Sequence, residues 1–351
     1  MITDNVFGMR LHAARKQAGL SQDELVKLLD GKISKTAIAR YEKGIMKPRI
    51  TYMQLLANAL NQSMDYFHRP MTTSITDVQF RKNAGLRIKK ENMIREKIAA
   101  YTERYLILEN ILGVQTTFRK PLEGNLVTSM EDIERYAEQL HEEWSLGFKP
   151  LGPIMCLLED KGIKILELES DEKFQGYSAT VQENIPFIVL RKEDTAERRR
   201  LTALHELGHF VLNFHPELDE TRIEKYCTAF AGAVLLPRSA YYHEIGAQRT
   251  VFSKRELSII KDRYGISASA FVMRSANLGI LPKHRMIALL NYTRKDKLER
   301  HIGSNQLNDR PDRFDQLIAI ALSEGRISLT KAAELAQIDL ETLMENFVNN
   351  D

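Results

Sequence analysis

The chain has 351 residues, 43% hydrophobic and 28% charged, with a net charge of +3; that mixture excludes a disordered polymer and leaves material for two or three cored domains. Its two cysteines, Cys156 and Cys227, read as core residues, which excludes a disulfide framework and points to a reducing compartment. No signal peptide is recognisable and no apolar run approaches the roughly 18 residues of a membrane span, so a cytoplasmic location with no membrane partner is expected.

Charge is unevenly spread. Residues 1–100 hold 18 Lys and Arg against 9 Asp and Glu, a balance of +9 that leaves −6 for the remainder, and an N-terminal part that meets a polyanion accounts for the asymmetry. From Met9 to Phe67, apolar residues recur at helical spacing in blocks broken by Gly19-Leu20-Ser21, Gly31 and Lys43-Gly44, predicting four or five short helices. Ser21 with Glu24 three residues later forms a capping box; Ser34 caps the next helix without one. Two short helices joined by a tight turn, the second exposing Lys35, Thr36, Ala39 and Arg40, make a helix-turn-helix sized for the major groove. Leu20-Ser21-Gln22 to Leu25 and Ser34 to Pro48 carry the patterns LSQxxL and SxxxIxxYExGxxxP, and residues 8–68 resemble a Cro/repressor-type (XRE) domain. That resemblance implies a double-stranded DNA operator as partner, with Gln22, Lys35, Thr36 and Arg40 facing it and Lys43, Lys47 and Arg49 near phosphates. The bland alternative, solvated charges on a protein-binding module, is disfavoured by the intact signatures and basic face. Glu42 and Arg10 read as a structural pair, and Leu25, Leu28, Ile38, Leu55, Leu56 and Leu60 as core.

Residues 70–80 lack periodicity and read as a linker. A long helix is expected from near Phe80 to about Leu112, basic in its first half and with Ile94, Ile98, Tyr101, Tyr105, Leu108 and Leu112 at heptad spacing in its second. This seam is short for a coiled coil and supports two readings, packing against the following domain or a strut for a homodimer on paired half-sites. Residues 113–128 have loop composition.

Ser129 to Trp144 is predicted helical, with Ile133, Tyr136, Leu140 and Trp144 on one face. A short helix then leads to three strands, Lys164–Leu168, Gly176–Val181 and Pro186–Leu190, whose exposed edge would align a peptide by strand addition. Arg198, Arg199 and Arg200 read as solvated, with binding of a substrate carboxylate by one of them as the alternative. Leu201 to Phe214, LTALHELGHFVLNF, contains His205-Glu206-Leu207-Gly208-His209, an HExxH pattern. His205 and His209 sit one above the other on a helix and aim two imidazoles at one point. Leu201, Leu204, Phe210, Val211 and Phe214 would bury this helix with or without a metal, but two histidines and a glutamate in an apolar helix are costly unless paired. The pattern supplies half of a tetrahedral Zn2+ site, with Glu206 as general base for peptide hydrolysis.

A hydrolytic zinc takes three protein ligands. His215 stands six residues after His209, at metzincin spacing, but Leu212 replaces the turning glycine and favours continued helix; Asn213 could supply a left-handed turn. Glu224, at the opening of a second apolar helix ending at Pro237, is the favoured candidate, with Glu217, Asp219 and Glu220 solvated in the loop between. The run RRRLTALHELGHFVL followed by IEKYCTAFAGAVLLP resembles the ImmA/IrrE family of zinc metallo-endopeptidases over about residues 150–290. The resemblance implies His205, His209 and Glu224 as ligands and Glu206 as catalytic base. It also implies a regulatory protein, such as a repressor, as substrate in a stress or mobile-element response. Thr228 stands where the family has asparagine, which leaves open the hydrogen bonding behind the ligands. Tyr177, Tyr241, His243 and Arg238 are candidate oxyanion donors.

Ser253–Tyr264 and Ser267–Leu278 read as helices, a polar stretch follows, and residues 311–349 give three helices divided at Glu324-Gly325-Arg326 and Ile338-Asp339, a tail without a basic face. The expected architecture is α+β. It comprises a helix-turn-helix domain (1–69), a linker and helical connector (70–128), a zincin-like peptidase domain with a small sheet (129–291) and a C-terminal helical domain (292–351). The function expected is a DNA-binding zinc endopeptidase; the alternative is a regulator or antitoxin-like protein whose peptidase domain is a non-catalytic sensor.

Overall fold

The computed structural model describes residues 5–73, 78–80, 88–170, 174, 176–182, 184–295, 302–304 and 307–347. The class is α+β: helices predominate and four short strands accompany them. No helix among the described residues is long and apolar enough to cross a membrane. Two compact units are distinguished, one comprising Met1–Gln115, Thr180–Asn184 and Arg313–Asp351, the other Thr116–Ala179 and Ile185–Asp312.

In the first unit, α1 (Val6–Gln17), α2 (Gln22–Leu28), α3 (Lys35–Glu42), α4 (Ile50–Ala59) and a 3-10 turn at Asp65–Phe67 enclose a core built on Leu11, Leu25, Ile38, Leu56 and Phe67. Ser21 and Glu24 close the capping box on α2, and Ser34 caps α3 alone, which fixes the tight turn between the two helices. Leu28, expected in the core, ends α2 and is 52% exposed, while Leu25 and Leu29 are buried. Nor do Glu42 and Arg10 pair with each other. Glu42 accepts from Arg15 at 2.6 Å and from Gln22 at 2.8 Å, whereas Arg10 grips both oxygens of Glu103 at 2.6 Å.

Glu103 lies on α5 (Ile88–Leu112), which follows the short β1 (Val78–Phe80). Phe80 is therefore in a strand, not at a helix start; residues 81–87, where the basic opening of that helix was expected, lie outside the described residues. Within the first unit, the apolar seam of α5 is covered by the chain's own helices. Ile94 and Ile98 are buried on the stretch of α5 that packs on α1, and Tyr101, Tyr105 and Leu108 meet the chain's own C-terminal helices.

The second unit opens with α6 (Met130–Glu143), whose N-cap Ser129 forms a capping box with Asp132, and α7 (Ile154–Asp160). Strands β2 (Lys164–Leu168), β3 (Tyr177–Val181) and β4 (Ile185–Arg191) follow; β4 lies between the other two and pairs in parallel with β2, Lys164 opposite Phe187 and Leu168 opposite Arg191. The buried face of β4 supports α8 (Ala196–Val211), which packs against α9 (Glu220–Leu235); α10 (Arg238–Ile245), α11 (Lys254–Tyr264), α12 (Ala268–Asn277) and α13 (Lys283–Lys295) complete the layer. α13 extends into the stretch read from sequence as polar loop.

Arg199 and Arg200, expected to be solvated, are 4% and 1% exposed. Arg200 binds Asp309 at 2.7 Å, and Asp309 also accepts from the backbone N–H groups of Ile154 and Met155 at the start of α7. Arg274 of α12 pairs with Glu134 of α6 and donates to Leu236 O at 3.0 Å. These buried ions hold the first half of α8 and the end of α9 in fixed places. Returning to the first unit, α14 (Arg313–Ser323), α15 (Leu329–Ala336) and α16 (Leu340–Phe347) match the three helices expected, and Phe314, Leu317 and Ile318 cover the seam of α5.

Burial alone would raise the Glu42 carboxyl, but hydrogen bonds from His12, Arg15 and Gln22 outweigh it and hold the group down at about 2. Its folded value lies below its ordinary 4.5, so the stability it contributes is present above that pH and is lost as pH falls towards 2. Glu42→Gln should cost up to about 3 kcal/mol at neutral pH and flatten the acid limb between those values. Denaturant unfolding across pH 2–7 checks this; an unaltered acid limb contradicts it.

Candidate metal centre and nucleic-acid interface

α8, which carries the HExxH sequence, and α9 approach closely because Gly208 has no side chain. A Cβ there would lie 3.3 Å from Cys227 Sγ and 3.4 Å from its Cα, tighter than ordinary contact. α8 does not continue past Val211, as Leu212 led one to expect. Leu212 caps it in an extended conformation, and Asn213 takes no left-handed turn: its N–H donates to Asn125 Oδ1 at 2.7 Å while its O accepts from Val127 N at 2.8 Å. That strap carries His215 away, to a partly exposed position where its Nδ1 lies 3.9 Å from Glu217. His215 thereby lies outside the group formed by His205, His209 and Glu224.

α9 begins at Glu220 with Asp219 as its N-cap, so Glu224 stands one turn inside the helix rather than at its start. Its Oε2 is 3.3 Å from His205 Nε2 and its Oε1 3.2 Å from His209 Nε2, and the two Nε2 atoms are 3.3 Å apart. Among the described residues, these three side chains form the group able to hold a metal ion. In a tetrahedral site the ligand–ligand edge is about 1.6 times the bond length, so edges of this size correspond to bonds of about 2.0 Å, in the zinc–nitrogen and zinc–oxygen range.

The far side of each imidazole is occupied as a ligand requires. His205 Nδ1 is 3.1 Å from Thr228 Oγ1, whose own hydrogen goes to Glu224 O at 2.9 Å; Thr228 must therefore accept, which puts the His205 proton on Nδ1 and leaves the Nε2 lone pair free. His209 Nδ1 is 3.6 Å from Cys227 Sγ, and the same assignment follows with sulfur as weak acceptor. Thr228 thus performs the orienting task put in doubt by the missing asparagine, and Cys227, read from sequence as plain core, shares it.

Glu206 is buried against β3, where the Ser178 hydroxyl donates to its Oε2 at 2.7 Å. Gly176 on the approach to the same strand has φ +97°, and a Cβ there would lie 2.5 Å from Thr202 Cγ2; only glycine admits the strand so close to the Glu206 turn. Of the candidate oxyanion donors, Tyr241 is committed to Ser275 at 2.6 Å and burial pushes its phenol up to about 12. Arg238 is held by Glu131 and Glu134, Tyr177 is buried against Phe174, and His243 is exposed.

Residues 158–275 match the family model of the IrrE N-terminal-like domain, a peptidase family, and residues 11–67 match that of the helix-turn-helix. Residues 158–275 thus form a domain similar to the ImmA/IrrE family, preceded by an XRE-type helix-turn-helix. Neither the comparison with curated proteins nor that with solved structures returns a match. A peptidase-family domain suggests a metallopeptidase, and a helix-turn-helix supports DNA binding.

On the helix-turn-helix, Thr36, Arg40, Lys43 and Lys47 are exposed. Lys35 pairs with Asp23 at 2.7 Å across solvent-accessible surface, a contact that costs little to exchange for a phosphate or base. Gln22 differs from the rest: half-buried, its Nε2 is spent on Glu42, so in this conformation it braces α2 against α3.

If Thr228 sets the tautomer of His205, Thr228→Val should weaken Zn2+ binding about 10- to 100-fold with the fold unchanged. Competition against a chromophoric chelator measures this, and an affinity equal to the parent's refutes the orienting role.

Proposed function

We propose that the ImmA/IrrE domain is a zinc-dependent endopeptidase that hydrolyses a peptide bond in a regulatory protein, a repressor being the substrate the family resemblance favours, while the helix-turn-helix binds a double-stranded DNA operator. The observation that supports it most is the meeting of His205 Nε2, His209 Nε2 and both Glu224 oxygens at 3.2–3.3 Å, with the Nδ1 atoms of both histidines engaged elsewhere. A zinc ion held by these three residues would supply the Lewis acid that polarises a peptide carbonyl and acidifies a water.

The remaining work falls to the chain itself. His205 and His209 are each held at Nδ1, by Thr228 Oγ1 and Cys227 Sγ, so that neither imidazole rotates. Glu206, adjacent to His205 on α8, is the proton acceptor: Ser178 fixes its Oε2, and burial in an apolar helix keeps its carboxylate from bulk water. A base so held accepts a proton at a defined place and can return it to the leaving amine. The ligand cluster itself is only partly buried, which leaves a face for a polypeptide to approach.

Glu206→Gln should retain one zinc per chain and lose cleavage by about 10²-fold or more. Protein fragments that accumulate in cells with the parent chain and not with this variant would identify the substrate; equal fragment patterns exclude the endopeptidase. For the DNA face, Lys35→Ala with Arg40→Ala should weaken binding to an operator near the protein's own gene and lower the slope of log K against log salt by about 2. Unchanged affinity and slope exclude α3 as the recognition helix.

A further inference from the structure

Within the first unit, a cavity of about 680 Å3 is walled by the end of the helix-turn-helix, the middle of α5 and the α15–α16 pair. Its wall carries six charged groups, and their pairing is uneven. Asp65 and Glu334 both contact Arg69, and Glu334 also contacts Lys331. Glu103 is taken up by Arg10, and Asp339 caps α16 by accepting from Thr342 N at 2.8 Å. Every carboxylate of the wall therefore has a donor.

Arg104 is the exception among the cations. Its Nε donates to Ala100 O at 3.3 Å and its Nη1 to Leu335 O at 2.5 Å, and the faces of Tyr101 and Phe314 lie 5.5 and 5.7 Å from its Cζ. Carbonyls and rings orient a guanidinium without neutralising it, and among the described residues no carboxylate forms an ion pair with it. Burial pulls this guanidinium down to about 10, against the opposing charge of the neighbouring Glu103, the direction a desolvated cation takes. A half-buried arginine, held rigid by two carbonyls and two rings and facing a cavity whose acids are all engaged, has the attributes of an oxyanion receptor.

We propose that this cavity is a binding site for a small oxyanion, a phosphate or a carboxylate, paired with Arg104 and closed by the helix-turn-helix on one side and α15–α16 on the other. The site is separate from the zinc chemistry and stands whether or not the chain is a peptidase. Its occupant would add a further link among three elements already joined by the Arg69–Glu334 pair and by Arg104 donating to Leu335 O.

The test titrates the full chain with inorganic phosphate and, in a second arm, with succinate, at ionic strength held constant with chloride, and follows Tm. One or both should raise Tm saturably, by roughly 5 °C at a hundredfold excess over Kd; which of them does so separates the phosphate from the carboxylate source. The rise should vanish in Arg104→Gln and persist in Lys35→Ala with Arg40→Ala. Should Arg104→Gln fail to fold by far-UV circular dichroism, Thr330→Trp, which fills the cavity from its exposed rim, must abolish the rise instead. The proposal is overturned if neither anion shifts Tm, if the rise survives Arg104→Gln or Thr330→Trp, or if it is lost with the Lys35 and Arg40 substitutions.

Discussion

The close crossing of α8 and α9 at Gly208 is the constraint on which the candidate chemistry rests. With any larger residue there, Cys227 would be pushed back, and with it Thr228 and Glu224 on the same helix. One contact thus bears on the distance of Glu224 from the two imidazoles and on both contacts that orient them. Ligands gathered from two helices are only as well placed as the helix pair is rigid.

That rigidity comes from buried charge as much as from apolar packing. Arg200 with Asp309, Arg274 with Glu134 and Lys261 with Glu197 lie around α8 and α9 in the second unit; Arg10 with Glu103 plays the equivalent part in the first. Buried ion pairs are poor contributors to net stability, because desolvation offsets attraction, but each tolerates few alternative arrangements and breaking one leaves an unpaired buried charge. Their value here is positional. Asp309 illustrates it by answering both the arginine of α8 and the free N–H groups of α7.

Local patterns were readable wherever the physics is local. Capping by Ser21 and Ser34, the helical period through His205 and His209, and the strand at Lys164–Leu168 involve neighbours within four residues, and the structure has them as expected. Misreadings arose where the deciding partner is remote. Arg199 and Arg200 look solvated until Asp309, more than a hundred residues on, is placed beside them. The α5 seam has the spacing of a dimer strut, and only its own C-terminal helices, over two hundred residues away, reveal what covers it.

The sequence alone determined that two imidazoles stand one turn apart beside a glutamate, and that a helix-turn-helix with a basic face precedes them, because helix period and capping follow from bonds within a few residues. It left His215 and Glu224 both open as third ligand. Tertiary structure decided which of them lies beside the imidazoles: pairing of Asn213 with Asn125 and Val127 stops α8 and draws His215 off, while the side chain missing at Gly208 lets α9 bring Glu224 in. Which atoms meet across two helices depends on how near the backbones come, and that distance is set by residues far apart in the chain.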